Sequence, residues 1–266
     1  MKISVFGAIG FIGSRFCELY PEMTIPIPRQ ETSGLSKDIL YLISTTDNYN
    51  PAIVDVHVNI SVLMDRLVNL HQSDTFNFVS SWFVYGDVPL PAHERIACAP
   101  EEGSYTITKL CAERLVADHC KKRNISYRIF RLANVFGKGD KFSEKKNALQ
   151  YLINEMKHDR DIHLYNEGMF FRDYIHVDDV CRMLYEEMES LPVNQIYNVG
   201  SGRPILFRDM ILLAHTVLGS KSVIHDSESY APVQDFWMDT TKITSYGIIN
   251  RSSPFEKLVR MIEDEL

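Results

Sequence analysis

Short apolar runs punctuate the first half of the chain, and most are followed by a segment whose apolar residues return every three or four positions. Lys2–Phe6 is the first run, and the helical pattern behind it reaches Tyr20 before Pro21 stops it. Thr24–Pro28, Asp38–Ser44 and Thr75–Ser81 read as further strands, the last ending in two hydroxyls. Asp55–Leu70 reads as an amphipathic helix that turns Val58, Val62, Leu63, Leu67 and Leu70 inward. Another helix carries Tyr105 and closes on Lys121-Lys122-Arg123-Asn124, a basic last turn with a good C-terminal residue. Farther on, the pattern predicts a helix near Asn147–Lys157, a strand at Ile162–Tyr165 and a helix at Phe207–Leu218. A terminal amphipathic helix should run from Phe255 to Leu266, with Leu258, Val259 and Ile262 on its apolar side. Strands alternating with helices predict an α/β fold, a Rossmann-type doubly wound parallel sheet with a smaller C-terminal lobe.

Gly7-Ala8-Ile9-Gly10-Phe11-Ile12-Gly13 lies between the first strand and the first helix. There, Gly7 permits a tight turn, Gly10 lets backbone approach a pyrophosphate, and Gly13 allows the helix to pack closely on the strand. The phosphates would rest on the helix N-terminus. Gly7, Gly10, Phe11, Ile12 and Gly13 are the candidate cofactor contacts, spaced G-x-x-G-x-x-G. The following strand should end in the residue that reads the adenosine ribose, an acid for NAD or a cation for NADP. Arg29 stands there and no acid precedes Glu31. NADP(H) is therefore favoured over NAD(H).

The connection after that strand is short. Only nine residues, Arg29 to Lys37, separate it from the next apolar run, whereas a helical crossover needs a dozen or more. Nine extended residues reach ~30 Å, enough to pass over two strand spacings of ~4.8 Å. The sheet should therefore be trimmed by one strand and its helix.

Charge and cysteine content narrow the partners. Formal net charge is −7 and the basic residues form no run longer than Lys121-Lys122-Arg123, which disfavours nucleic acid. The five cysteines are odd in number and contain no C-x-x-C. With no signal peptide or long apolar run, they point to the cytoplasm and away from a membrane. No histidine spacing reads as a metal site.

The chemistry centres on Tyr105 and Lys109. Four residues apart on a helix, they share a face roughly 6 Å along the axis. A phenol loses its proton near pH ~10, and an ammonium beside it should draw that proton towards neutral pH. Such a pair suits the acid–base step at an alcohol or ketone that accompanies hydride transfer.

The context resembles the extended short-chain dehydrogenase/reductases, in their sugar-nucleotide epimerase/dehydratase branch. After the glycine loop come Ser80-Ser81-x-x-Val84-Tyr85-Gly86, Tyr105-x-x-x-Lys109 and Arg131-x-x-Asn134-x-x-Gly137. Arg172-Asp173-Tyr174-Ile175-His176-Val177-Asp178-Asp179-Val180 and Asn198-Val199-Gly200-Ser201-Gly202 complete the family order. The resemblance implies that Ser81 hydrogen-bonds the reacting sugar oxygen and that Tyr105 is the general acid/base. Lys109 would hold the nicotinamide ribose and ease the ionisation of Tyr105. It also implies that Asn134 and Arg172 contact the substrate's diphosphate, while Tyr85 either flanks the sugar or packs. Asp178 reads as a helix cap and His176 as a packed strand-end residue. The resemblance implies a homodimer built partly on the Tyr105 helix.

Two departures narrow the reaction. Dehydratases of the branch resemble Thr-Asp-Glu where this chain has Ser81, Trp82 and Phe83, and neither aromatic can transfer a proton. Epimerase/reductases similar to GDP-fucose synthase place a cysteine at the position of Trp82; Cys98 is the nearest substitute in sequence. Reduction of a 4-keto sugar nucleotide is thus the favoured reaction, with an NAD-dependent 4-epimerase as the alternative and a non-catalytic NAD(P) sensor as a third reading. The nucleotide-binding domain would comprise residues 1–136 and 172–200, and the substrate-binding lobe 137–171 and 201–266. A nucleotide-diphosphate sugar is the expected partner.

Overall fold

The computed structural model describes residues 2–45, 51–98, 100, 103–140, 148–226 and 233–264. Asn147, Glu265 and Leu266, included in expected helices, lie outside them. The first half runs β1 (Ile3–Phe6), α1 (Phe11–Leu19), β2 (Thr24–Ile27) and β3 (Asp38–Tyr41). An interrupted helix comes next, α2 (Ala52–Val56) and α3 (Val62–Leu67), joined through a π-helical turn at His57–Ser61. Then come β4 (Thr75–Ser81), a 3-10 turn at Trp82–Tyr85, α4 (Ser104–Arg123), β5 (Ser126–Leu132) and β6 (Asn134–Phe136). The second half runs α5 (Ala148–Lys157), β7 (Ile162–Leu164), β8 (Phe171–Arg172), β9 (Tyr174–His176), α6 (Val177–Ser190) and β10 (Gln195–Val199). It finishes with β11 (Ile205–Leu206), α7 (Phe207–Leu218), β12 (Ile224–Asp226), α8 (Thr241–Thr244) and α9 (Pro254–Glu263).

Six strands form a parallel sheet in the order β2-β1-β3-β4-β5-β10. The chain leaves β2 and re-enters on the far side of β1, so the ten residues between Ile27 and Asp38 pass over one strand. Among the described residues nothing pairs with the outer edge of β2, and the expected trimming is present.

Side-chain alternation makes the sheet doubly wound. Ile3 and Val5 face one layer, where Phe16 of α1 and Val180, Cys181 and Leu184 of α6 cover them. Phe6, Phe76 and Phe78 face the other, against Leu63 and Leu67 of α3 and Ala112, Val116 and Cys120 of α4. Each such side chain, when fully buried, is worth about 1.5–3 kcal/mol of transfer free energy. A separate apolar cluster joins α5, α7, α9 and β7 through Leu149, Ile153, Met210, Ile211, Leu258 and Ile162. Phe136 of β6, which follows β5 directly, belongs to this cluster and ties it to the carboxyl end of β5.

Two elements depart from the sequence pattern. The helix expected over Asp55–Leu70 is broken by the π turn, which adds a residue to one turn and rotates α3 relative to α2. Asp55, Asn59, Leu63, Arg66 and Leu67 consequently face inward, whereas Val58 and Val62 are only half-buried. Asp178 lies in the first turn of α6 rather than at its cap. It accepts a 2.6 Å hydrogen bond from Arg15 Nε and ties α6 to α1. Both α4 and α7 end as their sequences direct, on Asn124 and Gly219 in the left-handed region.

Candidate functional site

The glycine loop forms a cradle open at the start of α1. Gly7 adopts φ +85°, and a Cβ at Gly13 would lie 2.2 Å from the Gly7 carbonyl oxygen, so no larger residue fits there. The Gly10 N–H closes the turn onto the same carbonyl at 2.9 Å. Gly10 caps α1 with no side-chain hydrogen bond, and the first turn holds no acid. The free N–H groups and the helix dipole therefore suit a pyrophosphate. Phe11 and Ile12 are half-buried and pack on the sheet core, so any contact they make with a cofactor falls to their backbone. Arg29 is exposed just beyond β2, and its carbonyl accepts from the buried Arg66 at 2.9 Å. These features fit a dinucleotide.

Ser81 ends β4 and turns the chain into the 3-10 segment, where its Oγ accepts from Phe83 N–H at 3.4 Å. Tyr105 lies in the first turn of α4, its ring meeting the Phe83 ring edge-on at 5.8 Å. The Ser81 and Ser44 side chains lie beside the Tyr105 phenol and oppose the effect of its burial. Lys109 lies one helical turn later and is 2% exposed.

The expectation that Lys109 pulls the Tyr105 proton towards neutral pH does not hold. Burial raises the Tyr105 phenol above its usual range, the two serine hydroxyls lower it in part, and Asp55 raises it further. Lys109 Nζ instead donates to the Val79 carbonyl at 2.8 Å and sits 4.6 Å over the Phe78 ring. Its own pKa is pushed down to about 8 by burial, with Glu113 opposing. Helical spacing put the two residues on one face, but the long lysine stem turned to the strand beneath it.

Trp82 and Phe83 build an aromatic wall beside Tyr105. Their rings stack at 4.1 Å, and Phe236 meets Trp82 at 4.5 Å. Arg172 continues this wall, its guanidinium 5.4 Å from the Trp82 ring and 4.9 Å from Phe170. Its Nη1 donates to the carbonyls of Phe171, at 3.0 Å, and Gln234. Burial lowers its pKa. Among the described residues Arg172 makes no ion pair. Asp173 faces away into the core, where it accepts from Ser201 N–H and Oγ, Gly202 N–H and Met238 N–H. Asn134 is half-buried and donates through Nδ2 to the Asp173 carbonyl at 3.1 Å, which leaves its Oδ1 for another partner.

Tyr85 is not at this surface. It is fully buried, its hydroxyl donates to Asn198 Oδ1 at 2.7 Å, and the Arg131 guanidinium lies 4.6 Å over its ring. The 3-10 turn carries it from the wall into the core, which removes it as a sugar contact. His176 is buried and accepts the Asp178 N–H through Nδ1 at 3.3 Å, as a packed strand-end residue should; burial lowers its pKa. The sequence pattern did not point to Ser44 or Asn59. Asn59 could have been found as a polar residue four positions before Leu63 on what is the inward face. Ser44 carries no comparable signal.

The family model of the NAD dependent epimerase/dehydratase family matches residues 41–200, more than half of the chain. The chain belongs to this family of NAD-dependent sugar-nucleotide epimerases, dehydratases and reductases. It is 29% identical to the Escherichia coli dTDP-4-dehydro-6-deoxyglucose reductase over 53% of its own length, and spans only 44% of that protein. A Streptomyces niveus dTDP-glucose 4,6-dehydratase is 22% identical, with 99% of this chain and 92% of that protein covered. In fold, it superposes on the Thermotoga maritima UDP-glucose 4-epimerase bound to UDP-glucose with a TM-score of 0.88 at 22% identity, covering 99% and 98% of the two chains. RMD from Pseudomonas aeruginosa complexed with NADPH gives 0.87 at 20% identity, with the same coverage. At these identities the structural likeness establishes the fold.

Proposed function

We propose that this protein reduces the 4-keto group of a nucleotide-diphosphate sugar, with NADPH as the favoured cofactor. The observation that carries the reading is the placement of the Tyr105 phenol, raised in pKa by burial, in the first turn of α4 beside the strand end that carries Ser81. A phenol in that state is ready to act as an acid. A nicotinamide cofactor on the glycine loop supplies the hydride. The chain's part is to hold the ketone oxygen between Ser81 and Tyr105 and to pass the Tyr105 proton to it as negative charge builds. Lys109, one helical turn after Tyr105 and with its pKa lowered by burial, is placed to support the ribose side of that centre. Arg172, stacked on Trp82 and without an ion pair among the described residues, is suited to fork onto a diphosphate.

Trp82 and Phe83 leave the position after Ser81 without an acid, which argues against dehydration. Arg29 favours the 2′-phosphate of NADP. Exposed Ile53 and Val56 on α2 and Ile107 on the neighbouring α4 support a homodimer through these helices. The five free cysteines accord with action in the cytoplasm, and none of the described helices is long and apolar enough to cross a membrane.

The test is to add a 4-keto sugar nucleotide with NADPH and follow both. One NADPH consumed per ketone reduced supports the reductase. A dinucleotide that stays bound through purification, with interconversion of two 4-hydroxy sugars and no net consumption, would make the protein a 4-epimerase instead.

A further inference from the structure

The connection between β2 and β3 has no helix to pack it against the sheet, and side chains tie it down instead. At its far end Ser4 Oγ accepts from Leu35 N–H at 2.8 Å and shares a 2.7 Å hydrogen bond with Ser36 Oγ. At its near end the tie is Arg66 of α3. Its Nη2 donates to the Arg29 carbonyl at 2.9 Å, and its Nη1 donates to the Val62 carbonyl, one turn back on α3, at 3.1 Å. Arg66 is 6% exposed, yet among the described residues no buried acid balances it. Its one ion pair there is a 3.8 Å contact with Asp65, an exposed side chain, and its Nε has no hydrogen-bond partner. Burial pushes the phenol of Tyr41, in the same layer beneath α3, well above its usual range, so it adds no negative charge. A tie to a carbonyl needs only a neutral donor. Burying a full charge without a buried counter-ion is costly, and that cost calls for an anion nearby.

We propose that Arg66 is a positioning residue for cofactor choice: it fixes the backbone of Arg29 where β2 ends and sets a second positive charge behind the 2′-phosphate of NADP. The proposal rests on the reading of Arg29 as the residue that meets that phosphate. Arg29 is exposed, and a long side chain on a loose loop loses both backbone and rotamer freedom when it binds. Holding its carbonyl removes the backbone part of that cost before the cofactor arrives. The guanidinium that holds it is always charged, and burial leaves its field less screened by water and salt than that of a surface cation. NAD offers only a hydroxyl at this position. The charge of Arg66 therefore acts on one dinucleotide and leaves the other untouched.

Dissociation constants for NADPH and NADH, measured by calorimetry on the full chain, test this without any substrate. The native protein should prefer NADPH. Arg66→Gln keeps a donor for the Arg29 carbonyl and drops the charge; it should bind NADPH about tenfold more weakly and NADH unchanged. Arg66→Lys, which keeps the charge, should retain most of the preference. Asp65→Asn, a change on an exposed side chain, removes the acid beside Arg66 and should move the preference about two- to threefold further towards NADPH. A native preference that survives Arg66→Gln, or an equal loss for both dinucleotides, would overturn the proposal. If Arg66→Gln does not fold, Asp65→Asn decides, and an unmoved ratio there would overturn it too. Equal native affinities for NADPH and NADH, or a native preference unaltered in Arg29→Ala, would sink the reading of Arg29 itself and the proposal with it.

Discussion

The two ends of the site prepare for negative charge by opposite means. At the glycine loop the donors are backbone N–H groups at a helix start, with no acidic side chain in the first turn. Around Tyr105 the work falls to hydroxyls, with a buried lysine and a buried aspartate on either side. Backbone donors do not titrate, so the loop should bind its ligand alike across a wide pH range. The reacting centre, by contrast, is built from groups whose protonation burial has moved. One half of the site is fixed by shape and the other by acid–base balance.

The largest expected effect breaks the second half alone. Tyr105→Phe should lower kcat by about 10²–10⁴-fold and leave dinucleotide affinity, measured by calorimetry, within about threefold. Next, Gly13→Ala should break the first half. A methyl group 2.2 Å from the Gly7 carbonyl forces the loop open, at a cost typical of overpacking, about 1–3 kcal/mol. Dinucleotide affinity should fall roughly 10–100-fold, by the same factor at pH 6 and pH 9; a loss confined to one pH would contradict the assignment of binding to backbone donors.

The last effect is on stability. Lys109 has a pKa of about 8 in the folded protein against 10.5 when unfolded, so between these values the unfolded chain binds more protons. Stability should therefore rise with pH across that window, by ~3 kcal/mol at most. Lys109→Met should lack this rise, and urea midpoints of the two proteins compared from pH 7.5 to 10 would show it. Parallel curves would mean that the lysine titrates in the fold as it does in water.

The glycine loop, the doubly wound parallel sheet and the trimmed edge were legible because each rests on local facts: glycine spacing, alternation, and the reach of nine residues. Ser81, Tyr105, Lys109 and Arg172 were legible as a set through their order along the chain. What could not be read came from rotations of a fraction of a turn. A π turn changed which side of a helix faced inward, so Asn59 replaced Val58 there. A 3-10 turn sent Tyr85 to the core while leaving Trp82 and Phe83 at the site. The Lys109 stem chose a carbonyl on β4 over the phenol above it, a choice between two acceptors that spacing does not make.

Ending the sheet at β2 also has a bearing on solubility. An outermost strand offers a row of unpaired N–H and C=O groups to any other strand that meets it. β2 is four residues long, and Pro26 within it and Pro28 just after it have no N–H to offer. Both prolines are exposed. The chain that dispensed with a covering strand thus carries its own block against growth of the sheet by a second molecule, and replacing Pro26 with valine would turn a closed border into a template for aggregation.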